Sequence, residues 1–362
     1  MTDTEPAPSA PSSPTLTPSQ LRWLMTGLML GLSLSSIEQS VIATALPTIA
    51  GELGSADQIA WVVSVYLLTS TITTPLYGKM SDLFGRRIVY QTAIWVFLAG
   101  SVLCGLAPTM SFLVAARAVQ GLGGGGLLSL AFVIVGAVVS PRQRGRWIGL
   151  FTSIFTVSAI IGPLLGGLLV DGPGWRWVFW SVLPLGAVAL VVTNRGLRLP
   201  FATREARIDW TGIVLLVVAA TAAILVPTWG GDTFAWASVP MLVTIVVAVV
   251  ATVAFVWHER RTAEPVIPMR LFADRTGSAV FAMGFLLMGS LLATLTFLPF
   301  FLQVATGRSA TRSGLMLIPE SVGISLAATA AGWLTTKTGR YKWALVIGPV
   351  IASAALLWLT SL

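Results

Sequence analysis

Eleven apolar stretches, each near the length of about 20 residues needed to span a bilayer as a helix, alternate with short polar breaks along the chain. Their approximate limits are 22–46, 58–78, 88–107, 112–138, 147–170, 176–194, 210–229, 238–257, 276–302, 313–335 and 342–361. This pattern predicts an all-α polytopic membrane protein of helical bundles. Residues 1–20 precede the first stretch and are rich in Pro, Ser and Thr. They read as a disordered tail, without the basic start and cleavage pattern of a signal peptide.

Composition agrees with the pattern. Hydrophobic residues make up 55% of the 362, only 10% are charged, and mean hydropathy is +0.86. Soluble domains carry about 25% charge. In a soluble chain a net charge of +8 would suggest nucleic acid, but here the placement of the charges decides. With the N-terminus in the cytoplasm, 18 of the 22 Lys and Arg fall on inner segments and three on outer loops, namely Arg176, Arg308 and Arg312. The remaining one, Arg117, lies within a span. Positive charge collects on the cytoplasmic side of membrane proteins, so the expected orientation has the N-terminus inside, and no nucleic acid is implied.

One polar break is unusual. Residues 78–87 read G-K-M-S-D-L-F-G-R-R, placing Gly78, Asp82, Gly85, Arg86 and Arg87 in a tight turn at the membrane surface. Gly332, Thr336, Gly339 and Arg340 repeat the spacing of Gly78, Asp82, Gly85 and Arg86 at a constant offset of 254. The same offset carries the start of span 1 onto span 9 and the end of span 3 to within a residue of the C-terminus. Spans 9–11 therefore read as a second copy of spans 1–3, and such repeats of membrane helices mark transporters. The expected organisation is a six-helix bundle over 21–196 and an inserted helix pair with its preceding loop over 197–257. A cytoplasmic loop over 258–275 and half of a second bundle over 276–362 follow.

Three ionisable residues lie inside spans: Glu38, Arg117 and Glu320. Each costs at least ~2.5–3.5 kcal/mol in hydrocarbon, which makes each a candidate functional residue. At about 1.5 Å per residue they fall at similar depth in the outer half. An acid and an arginine there could carry a proton, the acid ionised when paired and neutral when desolvated. The alternative is a structural ion pair. Gln120, one turn from Arg117, can face the same cavity. Glu320 has no acidic counterpart in the repeat, where the offset puts Tyr66; Gln120, Glu320 and Tyr66 are cavity or substrate candidates.

Other motifs carry less. Gly121, Gly123 and Gly126 match G-x-G-x-x-G, but without a preceding strand they read as close helix packing. Span 5 contains Gly149, Ser158, Gly162, Pro163, Gly166 and Gly167, a bent and closely packing helix. His258, the only histidine, reads as an interfacial anchor, and the 14 tryptophans mostly as an aromatic belt. The lone Cys104 excludes an internal disulfide framework. No nucleophile–base pair, metal set or P-loop is visible, so no enzyme, cofactor or metal is expected.

Taken together, these residues resemble the major facilitator superfamily, and most of all its fourteen-helix drug:proton antiporter branch, the QacA/EmrB type. The resemblance rests on Gly78-x3-Asp82-x2-Gly85-Arg86-Arg87, on Arg117-x2-Gln120-Gly121, and on Gly149 through Gly167 with Ser158 in place of one glycine. Residues 44–49, 175–179 and 265–272 add to it. It implies two pseudo-symmetric bundles, a central cavity, alternating access and an inner-gate cluster of Asp82 with its arginines. It also implies a coupling acid in span 1, here Glu38 where aspartate is common. Thr336 stands in place of the acid in the second loop, and Val182 where the family usually has asparagine. The implied partners are the lipid bilayer, protons and a small amphipathic or cationic substrate, at the plasma membrane. Against fourteen helices, eleven leave half of the second bundle unaccounted for. The chain is thus expected to be either such an exporter or a non-functional truncated fragment of one, with uptake a lesser alternative.

Overall fold

The computed structural model describes residues 17–54, 58–197, 209–231, 233–304, 318–339 and 342–359. Thirteen helices cover them. They are α1 (Pro18–Leu53), α2 (Ile59–Phe84), α3 (Arg86–Gly105), α4 (Met110–Val138), α5 (Pro141–Asp171), α6 (Arg176–Trp180) and α7 (Val182–Gly196), followed by α8 (Trp210–Trp229), α9 (Val239–Glu259), α10 (Arg270–Ala273), α11 (Arg275–Val304), α12 (Ile318–Thr338) and α13 (Lys342–Leu359). The all-α expectation holds: among the described residues the one strand-like feature is an isolated bridge between Gly230 and Phe234. Among the described residues, seven helices are long and apolar enough to cross a membrane. The eleven expected stretches each coincide with a helix, except that the sixth is divided at Ser181 between α6 and α7.

Local chemistry sets the helix ends. Thr17 and Gln20 form a reciprocal capping box at α1, and Gly54 closes it in the left-handed conformation. Thr109 caps α4 by accepting from the Phe112 N–H at 3.3 Å, and Pro141 opens α5. Gly85 alone separates α2 from α3, at φ +86°. A side chain there would be strained. Gly339, at the end of α12, has φ +69°. The two turns of the sequence repeat therefore share a positive-φ glycine at the same register.

In the bundle α2 and α3 pack on α4, α1 packs on α5 and α7, α8 pairs with α9, and α5 packs on α12. Small residues permit the close approaches. A Cβ on Gly123 would strike the Ala93 and Phe97 backbone, and one on Gly121 would strike the Tyr66 backbone. The glycine run of α4 is thus a helix-packing surface. The buried apolar residues form two clusters. One holds Leu24 to Leu34 of α1 with Tyr90, Phe97 and Phe151. The other holds Val41 to Ala50 of α1 with Cys104, Trp175 and Phe179. Between them along α1 lie the buried polar residues Ser35, Ser36 and Glu38.

Candidate functional site: a buried charge pair between two apolar clusters

The polar band between the clusters is built from α1 to α4. Glu38 of α1 and Arg117 of α4 are 0% and 1% exposed, and Arg117 donates from Nη1 to Glu38 Oε1 at 2.5 Å. The same Nη1 donates to Gln120 Oε1 at 2.6 Å, and Nε donates to the Val62 carbonyl at 3.1 Å. The guanidinium lies 4.2 Å from the centroid of the Tyr66 ring. Arg117 is therefore held by a carboxylate, an amide, a backbone carbonyl and an aromatic face. A dry site strengthens each of these contacts.

A second layer orients the first. Gln120 donates from Nε2 to Ser101 Oγ at 2.6 Å, and the Cys104 thiol lies 3.7 Å from Gln120 Oε1. The Tyr66 hydroxyl and Ser35 Oγ are 2.8 Å apart, and Gln39 donates to Ser35 Oγ at 3.3 Å. Glycines make room for this network: a Cβ on Gly100 would strike the Gln120 backbone, and one on Gly124 the Tyr66 ring. One atom is left over. Among the described residues, Glu38 Oε2 is buried without a hydrogen-bond partner. A buried acceptor left unpaired carries a desolvation cost.

The structure brings Glu38, Arg117, Gln120 and Tyr66 together. Tyr66, expected as a cavity candidate, is 2% exposed and lies against Arg117. Glu320 falls on α12, but its side chain lies outside the described residues. The α5 glycines form a face between two partners. A Cβ on Gly162 or Gly166 would meet Ser40 or Thr44 of α1, one on Gly149 would meet Thr329 of α12, and Gly167 faces open space. Pro163 sits inside α5 without ending it. The Ser158 hydroxyl is buried and has no partner among the described residues.

Residues 78–87, expected as a turn, are instead the last helical residues of α2 and the first of α3 with only Gly85 between them, and they lie away from this band. Asp82 attracts Arg86 through space, while Arg87 donates to Asn194 of α7. Lys79 donates to the Glu264 carbonyl. Gly78, Lys79 and Asp82 border a cleft of about 1290 Å³ whose other walls come from the end of α9 and the 260–273 connector.

One polar group escaped the sequence reading. His258, expected as an interfacial anchor, lies 2.9 Å from both carboxylate oxygens of Asp209, which also accepts the Gly212 N–H at 2.9 Å. Burial works against the Asp209 charge, but the Gly212 N–H, His258 and Lys79 together hold its carboxyl below the usual range. Sequence gave one signal, an Asp immediately before an apolar run, and that reads only as a helix cap.

Comparison with known proteins follows the same lines. Residues 28–212 match the family model of the Major Facilitator Superfamily. The chain is 38% identical over 359 residues to an uncharacterized MFS-type transporter of Mycobacterium tuberculosis, covering 99% of this chain and 52% of that protein. It is 35% identical over 339 residues to the multidrug transporter protein MdtP of Bacillus subtilis, covering 94% and 62%. To multidrug resistance protein 3 of the same organism it is 34% identical over 350 residues, covering 94% and 68%. The chain thus spans about half to two thirds of the length of these curated relatives. The proton:xylose symporter XylE superimposes with TM-score 0.60 at 14% identity, over 88% of this chain and 70% of that one. The human organic anion transporter MFSD10 superimposes at 0.56 and 19% identity, over 88% and 73%.

Proposed function

Because the chain belongs to the Major Facilitator Superfamily, we propose that it carries the coupling site of a proton-driven exporter of amphipathic or cationic compounds, working by alternating access in the plasma membrane. The fourteen-helix drug:proton antiporter branch is the proposed subfamily, which the multidrug and efflux names of several relatives support. The observation that carries the reading is the Glu38/Arg117 pair, buried between two apolar clusters with one carboxylate oxygen unpartnered.

In this reading Glu38 Oε2 takes the proton. Arg117 keeps partners of its own in Gln120, the Val62 carbonyl and the Tyr66 ring. It is a fixed cation beside a carboxyl that changes charge. A lipophilic cation entering the cavity favours the ionised acid and expels the proton, and the carboxylate offsets the cost of desolvating that cation. The glycine face of α5, set between α1 and α12, supplies the close contact across which the two halves rock.

The test uses proteoliposomes loaded with a fluorescent lipophilic cation under an imposed pH gradient. Glu38→Gln is expected to abolish gradient-driven movement of the dye. A second arm measures proton release on adding tetraphenylphosphonium to the detergent-solubilised chain, which needs binding but no turnover. Gradient-driven movement undiminished in Glu38→Gln, or equal proton release from both proteins, overturns the coupling role. If the unmodified chain binds the cation and releases protons but moves no dye, the coupling site stands and transport needs more than this span.

A further inference from the structure

One amide in the first membrane span is not buried. Gln39 follows Glu38 on α1 and is exposed, as is Ala43 one turn on, whereas Ser35 and Glu38 are buried. An amide left in hydrocarbon carries a heavy cost, and polar residues within spans face the bundle interior or a water-filled cavity. At 3.6 residues per turn, Gln39 falls between two sides of α1. One side meets Tyr66 of α2 through Ser35, and the other meets α5 through Ser40 and Thr44. This exposed strip adjoins the Glu38/Arg117 pair without being part of it.

The Gln39 side chain is tethered. Its Nε2 donates to Ser35 Oγ at 3.3 Å, and Ser35 Oγ lies 2.8 Å from the Tyr66 hydroxyl. Tyr66 has little room to shift, since a Cβ on Gly124 of α4 would fall 2.3 Å from its hydroxyl and its ring lies over the Arg117 guanidinium. A glutamine amide carries a donor nitrogen and an acceptor oxygen. With the nitrogen engaged by Ser35, the oxygen accepts no hydrogen bond among the described residues. We propose that Gln39 is a substrate-contacting residue whose carbonyl oxygen accepts an N–H from the cationic head of the ligand, so that the site selects protonated amines over fully alkylated cations. This rests on the reading of the site as one for lipophilic cations.

The selectivity follows from the two things a protonated amine brings on one nitrogen, a charge and a donor. The charge is attracted through space by Glu38, which acts alike on an ammonium and on a quaternary cation. The N–H needs an acceptor in place of the water it leaves, and a donor without one carries a desolvation cost. A quaternary nitrogen has no such donor and gains nothing from the carbonyl. Ser35 and Tyr66 are positioning residues, holding the amide nitrogen so that the oxygen is the atom presented to the ligand.

The experiment compares two fluorescent ligands of one shape on the detergent-solubilised full chain at neutral pH. One is N,N-dimethyl-1-naphthylmethylamine, protonated and carrying a single N–H, and the other is its trimethylammonium counterpart. The parent is expected to bind the amine about tenfold more tightly, the effect of one hydrogen bond to a charged group. Gln39→Met keeps the bulk of the side chain and removes the acceptor. It is expected to weaken the amine alone and bring the ratio to about one, whereas a preference for the smaller head by size would survive it. Glu38→Gln is expected to weaken both ligands alike and leave the ratio in place. A parent ratio near one, no binding of either ligand, or a tenfold ratio retained in Gln39→Met overturns the assignment. A ratio that falls to one in Glu38→Gln places the N–H on the carboxylate and overturns it as well. If Glu38→Gln weakens neither ligand while the Gln39 ratio behaves as expected, it is the coupling role of Glu38 that fails and the amine contact that stands.

Discussion

Arg117 shows how much a single side chain in a dry site depends on its partners. Its contacts to Glu38, Gln120, the Val62 carbonyl and Tyr66 replace the water it has lost. Removing one member of a buried ion pair leaves the other uncompensated, at about 3–5 kcal/mol, whereas removing both costs far less. Arg117→Gln and Glu38→Gln are therefore each expected to lower the thermal stability of the detergent-solubilised chain, and the double variant to recover part of the loss. Additive losses in the three melting curves would show that the two residues do not act as a pair. Glu38 and Arg117 were legible in the sequence because a charge in an apolar stretch is conspicuous by its cost. Gln120 followed from helical spacing, and Tyr66 from the offset between the repeats. The support given by Ser35, Ser101 and Val62 was not legible: serines in membrane helices are common, and a backbone carbonyl leaves no trace in a residue pattern.

Helices were the most legible level, since a membrane span announces itself by length and apolarity alone. Their contacts were less so. The glycines of α5 were expected to pack closely, but their partners follow from the three-dimensional path of the chain: α1 through Ser40 and Thr44, α12 through Thr329. These partners separate neighbouring glycines. A Cβ at Gly166 would fall against the Thr44 side chain and 2.9 Å from the Val41 carbonyl oxygen, while Gly167 faces open space. Gly166→Val is expected to cost about 1–3 kcal/mol by overpacking, and Gly167→Val much less. Equal melting temperatures for the two variants would refute the α1/α5 contact. The junction of α8 and α9 offers a second test at this scale. Asp209 has its carboxyl held low in the folded chain. Its stabilising contribution is therefore present above the unfolded aspartate pKa of about 3.9 and lost as pH falls through the lower folded value. Melting curves on acidification from neutral pH should show Asp209→Asn less stable than the parent at neutral pH and converging with it at the acid end. Curves that stay parallel would remove Asp209 from the pH response.

At the scale of the whole molecule the sequence repeat and the fold meet at the turns. The offset of 254 places Gly85 on Gly339, and both adopt positive φ at a helix end. The offset also carries the end of α3, Gly105, onto Leu359, the end of α13. Composition revealed the repeat because only glycine tolerates that backbone, whereas sidedness rests on the distribution of cations alone. Lys79, Arg86, Arg87, Arg260, Arg261 and Arg270 gather at the end of the bundle where the cleft opens, which the positive-inside rule predicts to be the cytoplasmic end. This orientation decides what each proton-binding group senses. Glu38 then lies in the outer half of the membrane, while Asp209, His258 and Glu259 face the cytoplasm. Reporter fusions check it. Alkaline phosphatase, active only outside, is expected to be inactive when fused after residue 271 and active when fused after residue 235, between α8 and α9. A green fluorescent protein that folds only inside should give the reciprocal pattern. The opposite result would invert the molecule and put Glu38 in the half of the bilayer nearest the cytoplasm.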